Sequence, residues 1–267
     1  MKKSNKIYCL LIIISAMFIL NSQSYSQPKL TIDVTGGYGA PLGDFTVDVP
    51  TDTRVDADLF PYYTKQFWNV GADGKIAFGT QGNWRAVFGL LYNSFTNSTN
   101  AIFRADSTGT LVTTSFEPKV NVLSIILGGE YAFLPKGKVN PYVGLNLPIN
   151  FFSGDFTFGQ PVYVKGEIRT APMDMKSETR IGLTFDAGVN FVVSKQFGIN
   201  AGMNYSILNL IGKGSDDEEE IGPNEIDLGD AEHTEDGMNF PSKTLTSING
   251  YLGVSFYFGA PKTYAKK

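Results

Sequence analysis

Cysteine and histidine are nearly missing from this chain: one of each, Cys9 and His233, in 267 residues. Cys9 falls in an N-terminal leader, so neither a disulfide framework nor a cysteine metal site fits the mature protein. A lone histidine leaves no Ser-His constellation to place on one face. Catalysis commonly needs a base within reach of a nucleophile or water, so the sequence reads as a non-enzyme with no cofactor. Charge is also scarce, at 18% Asp, Glu, Lys and Arg with a net of −4, which speaks against nucleic acid as a partner. No apolar run reaches the roughly 20 residues that a membrane-spanning helix needs. Glycine (29), Phe (20) and Tyr (13) are plentiful instead, a mix suited to many short strands and tight turns.

The longest apolar run, Ile7–Leu20, follows the basic start Met1–Lys6 and precedes small polar residues up to Gln27. These are the three regions of a secretory signal peptide, with cleavage expected after Ser26. Residues 1–26 are therefore assigned to a leader, 27–258 to one domain, and 259–267 to a short tail.

The final segment, 247–258, alternates strictly. Ile248, Leu252, Val254, Phe256 and Phe258 share one face with Gly250; Asn249, Tyr251, Gly253, Ser255 and Tyr257 share the other. Alternation with period two marks a strand with one apolar and one polar side. Seven earlier segments repeat it: 29–39, 67–79, 84–93, 120–133, 141–152, 180–191 and 197–208. The fourth is the least regular, with Val122 and Ile126 on its polar side. Pro148 is awkward inside the fifth because it has no N–H for the ladder, so a bulge is expected there. Each segment is long enough for a tilted strand to cross a bilayer. The connections alternate long and short, and the third long one holds residues suited to its own hairpin, 157–170.

Tyr251-x-Gly253-x-x-Phe256-x-Phe258 resembles the closing-strand signal of bacterial outer-membrane β-barrels. With the leader and the eight two-faced segments, it makes the chain similar to the small outer-membrane β-barrel family, of the kind of OmpX and the transmembrane domain of OmpA. That resemblance implies an all-β, antiparallel, up-and-down eight-stranded transmembrane barrel in the outer membrane, with three short periplasmic turns and four long extracellular loops. It implies lipid and lipopolysaccharide as surroundings, the barrel-assembly machinery as a partner during biogenesis, and an extracellular partner met through the loops.

Alternation alone does not say which face points out. A soluble lipid binder of the lipocalin kind would turn the apolar side inward; a membrane barrel shows it to lipid. The polar faces carry mostly Gly, Asn, Ser and Thr, which suits a crowded interior. Aromatics gather at strand ends, among them Trp68, Trp84, Tyr131, Phe133 and Phe197, as interface girdles would.

An eight-stranded interior is only wide enough for side chains. The charged residues on the polar faces are Asp33, Asp73, Lys75, Arg85, Glu130, Arg180 and Asp186. They are expected to pair and fill the barrel, Arg85 with Glu130 in particular, because an unpaired buried charge is costly. Two readings follow: a scaffold with a plugged lumen, or a transport protein with a narrow pore. The fourth long loop, 211–246, holds eleven carboxylates, including Asp216–Glu220. It reads as a solvated loop, with a divalent-cation site as the alternative.

Overall fold

The alternating segments form long strands that close on themselves. The computed structural model describes residues 28–259 apart from 51, 56, 80, 215–221, 223, 236 and 237. The leader at 1–26 and the tail beyond 259 lie outside the described residues. Eight strands form the wall: β1 (Leu30–Gly43), β2 (Gln66–Phe78), β3 (Trp84–Thr96), β4 (Leu111–Ala132), β5 (Val139–Phe158), β6 (Met173–Val192), β7 (Phe197–Ile211) and β8 (Leu245–Phe258). Each pairs antiparallel with the next. β8 returns to β1 from Leu30↔Phe258 to Gly43↔Leu245, so no edge is left open. Closure lets a sheet sit in hydrocarbon, where an unpaired N–H or C=O would find no water. Among the described residues no helix is long and apolar enough to cross a membrane.

The apolar faces look outward. Leu90, Leu127, Leu147, Phe185 and Leu252 are all about half exposed or more, while Asn69, Asn93, Asn150 and Asn200 on the opposite faces are buried. The chain therefore does not adopt the inverted, lipocalin-like arrangement. On β2 the outward stripe runs from Trp68 to Phe78. Ten steps of about 3.3 Å, tilted by about 40°, rise roughly 25 Å, the height of the apolar band of membrane barrels. Aromatics flank both rims of that band. At the short-turn end Trp84 packs on Tyr131 (5.0 Å between ring centroids), Tyr131 on Phe133 (5.3 Å) and Phe197 on Phe256 (6.4 Å). At the other rim Trp68 packs on Tyr92 (5.5 Å).

Pro148 causes no bulge. It pairs with Ile126 on β4, while towards β6 the ladder passes over Leu147 and Pro148 and resumes at Ile149↔Ile181 without a change of register. Gly182 makes room: a Cβ there would lie 3.1 Å from Pro148 Cγ and 2.5 Å from the Ile207 carbonyl oxygen. The β5–β6 irregularity instead falls between Phe152 and Gly154.

β4, β5 and β6 run well past their expected ends. The segment 111–119 reads as a loop because it is rich in Thr and Ser, yet it pairs with Thr99–Arg104 on one side and with the end of β5 on the other. The third long connection does form a hairpin, Val162–Val164 with Glu167–Arg169, turning through Lys165 and Gly166 at φ 49° and 80°. Positive φ at both central residues is the two-residue turn whose twist suits paired strands.

The hydrophobic core sits at the long-loop end. Phe45, Phe60, Tyr62 and Tyr63 from the first long connection are fully buried against Phe67, Phe95, Phe103, Phe116 and Phe156. A short 3₁₀ turn, Ala57–Tyr62, carries Phe60 into the middle of them. Its ring centroid lies 4.9 Å from that of Phe116 and 5.5 Å from that of Phe156. Burying each such ring contributes about 1.5–3 kcal/mol. These loops fold into an apolar cap instead of standing free.

Candidate functional site: the lumen and its cap

Every second residue of each strand points inward, so the interior is written in the polar faces. Arg85 and Glu130 are direct cross-strand partners. Arg85 Nη1 donates to Glu130 Oε1 at 2.7 Å, and Lys75 Nζ donates to Glu130 Oε2 at 2.6 Å. Lys75 also lies 2.9 Å from Asp33 Oδ2, with all four side chains buried. The ammonium sits 4.6 Å from the Tyr142 ring centroid, a cation–π contact in a desolvated setting. Tyr142 and Tyr251 share a hydrogen bond of 2.6 Å, and Tyr251 donates to Asp186 Oδ1 at 2.7 Å. Alternation puts both tyrosines on polar faces; their role in linking Lys75 to Asp186 follows from the closure that brings β5 near β8.

Asp73 stands opposite Asp33 in register and makes no hydrogen bond or ion pair among the described residues. Above it the lumen is lined by amides and hydroxyls: Asn69, Asn146, Asn200 and Asn249, with Ser124 donating to Asn150 Oδ1 at 2.6 Å. A cavity of about 60 Å³ remains between them, room for a few water molecules.

Arg180 does not join this group. Its guanidinium lies at the upper rim and grips Asp230, with Nη2 to Oδ1 at 2.8 Å and Nε to Oδ2 at 3.1 Å. It also contacts Glu178. Asn209 donates to Asp230 Oδ2 at 2.7 Å. Asp230 comes from the acidic fourth loop and is fully buried, as are Ile226 and Leu228. The described part of that loop is thus folded into the mouth; Asp216–Glu220 lies outside the described residues. Tyr62 donates to the Leu228 carbonyl. Burial, and then the charges of Asp230 and Asp227, raise its phenol well above the ordinary value, so it remains a donor.

The closing-strand residues divide by face. Phe256 and Phe258 point outward at the short-turn rim, whereas Tyr251 and Gly253 point inward. A Cβ at residue 253 would lie 2.4 Å from Asn200 Oδ1 and 2.5 Å from the Val34 carbonyl oxygen, so packing alone demands glycine there.

The family model described as outer membrane protein beta-barrel domain matches residues 9–229. Among solved structures, the chain is similar to Neisserial surface protein A at 16% identity, covering 86% of this chain and 97% of that one, with a TM-score of 0.43. It is similar to Ail, the attachment invasion locus protein of Yersinia pestis, at 11% identity, with coverage of 86% and 99% and a TM-score of 0.39. A major outer membrane protein from Thermus thermophilus matches at 13% identity, with coverage of 86% and 99% and a TM-score of 0.44. No curated protein matches the chain.

Proposed function

The chain belongs to the outer membrane protein β-barrel family, and from that premise we propose that it is a non-conducting structural and interaction scaffold. In this reading the barrel anchors the chain in lipid and lipopolysaccharide. Its long-loop end faces outward and presents a folded, capped surface to partners. Export uses the leader at 1–26. The assembly machinery reads the closing strand through Tyr251, Gly253, Phe256 and Phe258, and the tail at 259–267 stays in the periplasm.

One observation carries the scaffold reading: the path through the barrel is obstructed twice. Lys75, Glu130 and Arg85 on three successive strands, with Tyr142 and Tyr251 reaching in from β5 and β8, occupy the lumen near one end, and the aromatic cap around Phe60 fills the other. A buried network with both acid oxygens engaged resists opening, because breaking it leaves charges without partners. The competing reading, a narrow pore gated by that network, makes a different prediction. In planar bilayers the wild-type protein, Arg85→Ala and Glu130→Ala should all show no steady conductance, since the cap stays in place in each. Conductance in the wild type would replace the scaffold with a transporter. Conductance appearing only in the two variants would make the network a gate.

A further inference from the structure

We propose that a second cavity, in the cap at the long-loop end, binds an oxyanion of the phosphate or sulfate class. The argument holds whether or not the barrel conducts. The cavity, of about 170 Å³, lies where two loop segments meet the free edge of the strand Thr99–Arg104. Arg54 bridges Ile102 on that edge, with the Val55 N–H donating to the Ile102 carbonyl at 2.9 Å, and Tyr163 pairs with Arg104. The rim carries three cations from segments far apart in the chain: Arg54, Arg104 and Lys165. The floor includes Phe60, Phe103 and Val164, all buried in the aromatic cap. The backbone under the rim is thus fixed on packed side chains before any ligand arrives, which lowers the ordering cost of binding.

Charge selects the ligand. The chain as a whole carries more acid than base, yet no carboxylate is among the described residues that line this cavity. Neighbouring acids are engaged elsewhere: Glu167 pairs with Arg169 at 3.0 Å, and Asp106 accepts from Thr108 and Thr110. Arg54 and Arg104 make no side-chain hydrogen bond or ion pair among the described residues. Lys165 donates to the Glu225 carbonyl, at 3.3 Å. Three like charges on one rim repel unless an anion sits between them, and two of them are guanidinium forks that match phosphate or sulfate oxygens. Lipid headgroups lie too far below to supply it. Arg104 pairs with Leu111, twelve residues up β4 from Leu123 at the upper girdle, a rise of about 30 Å at 3.3 Å per residue and a tilt of about 40°. The anion is therefore free in solution or carried by a glycan that stands clear of the bilayer.

Calorimetry on the folded full-length barrel in detergent micelles tests this at low ionic strength, where surface charge is least screened. The titrants are glucose 6-phosphate, inorganic phosphate and, as the uncharged control, glucose. Saturable binding is expected for both phosphates and none for glucose. Tighter binding of glucose 6-phosphate assigns the site to a glycan-borne group; equal or weaker binding assigns it to the free anion. Arg54→Gln and Arg104→Gln should each weaken the phosphates at least about tenfold, the loss expected for hydrogen bonds to a charged group. Lys119→Gln, eight residues down β4 from Leu111 and paired with Asp155, should leave them unaltered. Arg54 and Arg104 are exposed, so both variants should keep the folded gel band of the unheated protein. Failure of the wild type to bind either phosphate saturably overturns the proposal. So does glucose binding as tightly as glucose 6-phosphate, or an affinity unchanged in both arginine variants.

Discussion

Asp230→Ala is expected to release the fourth loop from the barrel mouth at a cost of about 3 kcal/mol, the lower end of the range for breaking a buried ion pair. Asp230 is fully buried and takes the Arg180 guanidinium through two oxygens. Without it Arg180 keeps Glu178 as a partner, which places the cost at the low end. Asn209 loses one of its two donor contacts but still donates to the Lys243 carbonyl. Ile226 and Leu228 then lose the anchor that holds them in the cap, so residues 224–231 should exchange amide hydrogens faster and become open to protease. The barrel should persist, because its ladders do not involve Asp230. Replacing both partners, as Arg180→Met with Asp230→Leu, should restore only part of the protection, since it removes the Arg180–Asp230 charges together but leaves Glu178 without its guanidinium. Unchanged cleavage in Asp230→Ala would show that the loop is held by its apolar contacts alone.

Leu127→Arg should destabilise the folded barrel in vesicles by about 2–4 kcal/mol, the cost of a cation on the lipid face at mid-bilayer. Leu127 is 55% exposed, on the outward face of β4. It pairs with Phe88, midway between the Trp84 and Tyr92 rims of β3. Leu123→Arg is the informative contrast. Leu123 pairs with Tyr92 at the upper girdle, where a long cation reaches the headgroups and the cost falls to about 0–1 kcal/mol. Equilibrium unfolding in urea compares the two. Equal costs at both positions would mean that the apolar band is not centred on Leu127.

The barrel was legible because its information is local. Each strand repeats a two-residue pattern that needs no knowledge of its neighbours, and the resulting face assignment puts Asp33, Lys75, Arg85 and Glu130 inside with Leu90 and Leu127 outside. The Arg85 and Glu130 strands are successive in the wall, which is why their juxtaposition could be read from the chain. The cap was not legible for the opposite reason. Phe45, Phe60, Tyr62 and Tyr63 lie in a stretch with no periodicity, and their partners on β3, β4 and β5 are distant in sequence. Asp230 is one of eleven carboxylates in its loop, and nothing nearby in the chain distinguishes it from those that face water. Alternation puts Arg180 on an inward face, but which acid it meets depends on how that loop folds back. The extension of β4 was hidden by Thr- and Ser-rich composition, which turns share with strands that pair outside the lipid.

The orientation of the two faces underlies all of this, and one scan along β4 tests it. Cys9 is the only cysteine and lies in the leader, so the barrel from Gln27 onward is a cysteine-free background for single spin labels placed in turn at residues 123–131 after refolding in lipid vesicles. Labels at Leu123, Ile125, Leu127 and Gly129 should collide readily with oxygen dissolved in the bilayer, and those at Ser124, Ile126, Gly128 and Glu130 should be shielded from it. Oxygen accessibility with the opposite phase, or with no alternation, would contradict a barrel that meets lipid with its apolar side chains.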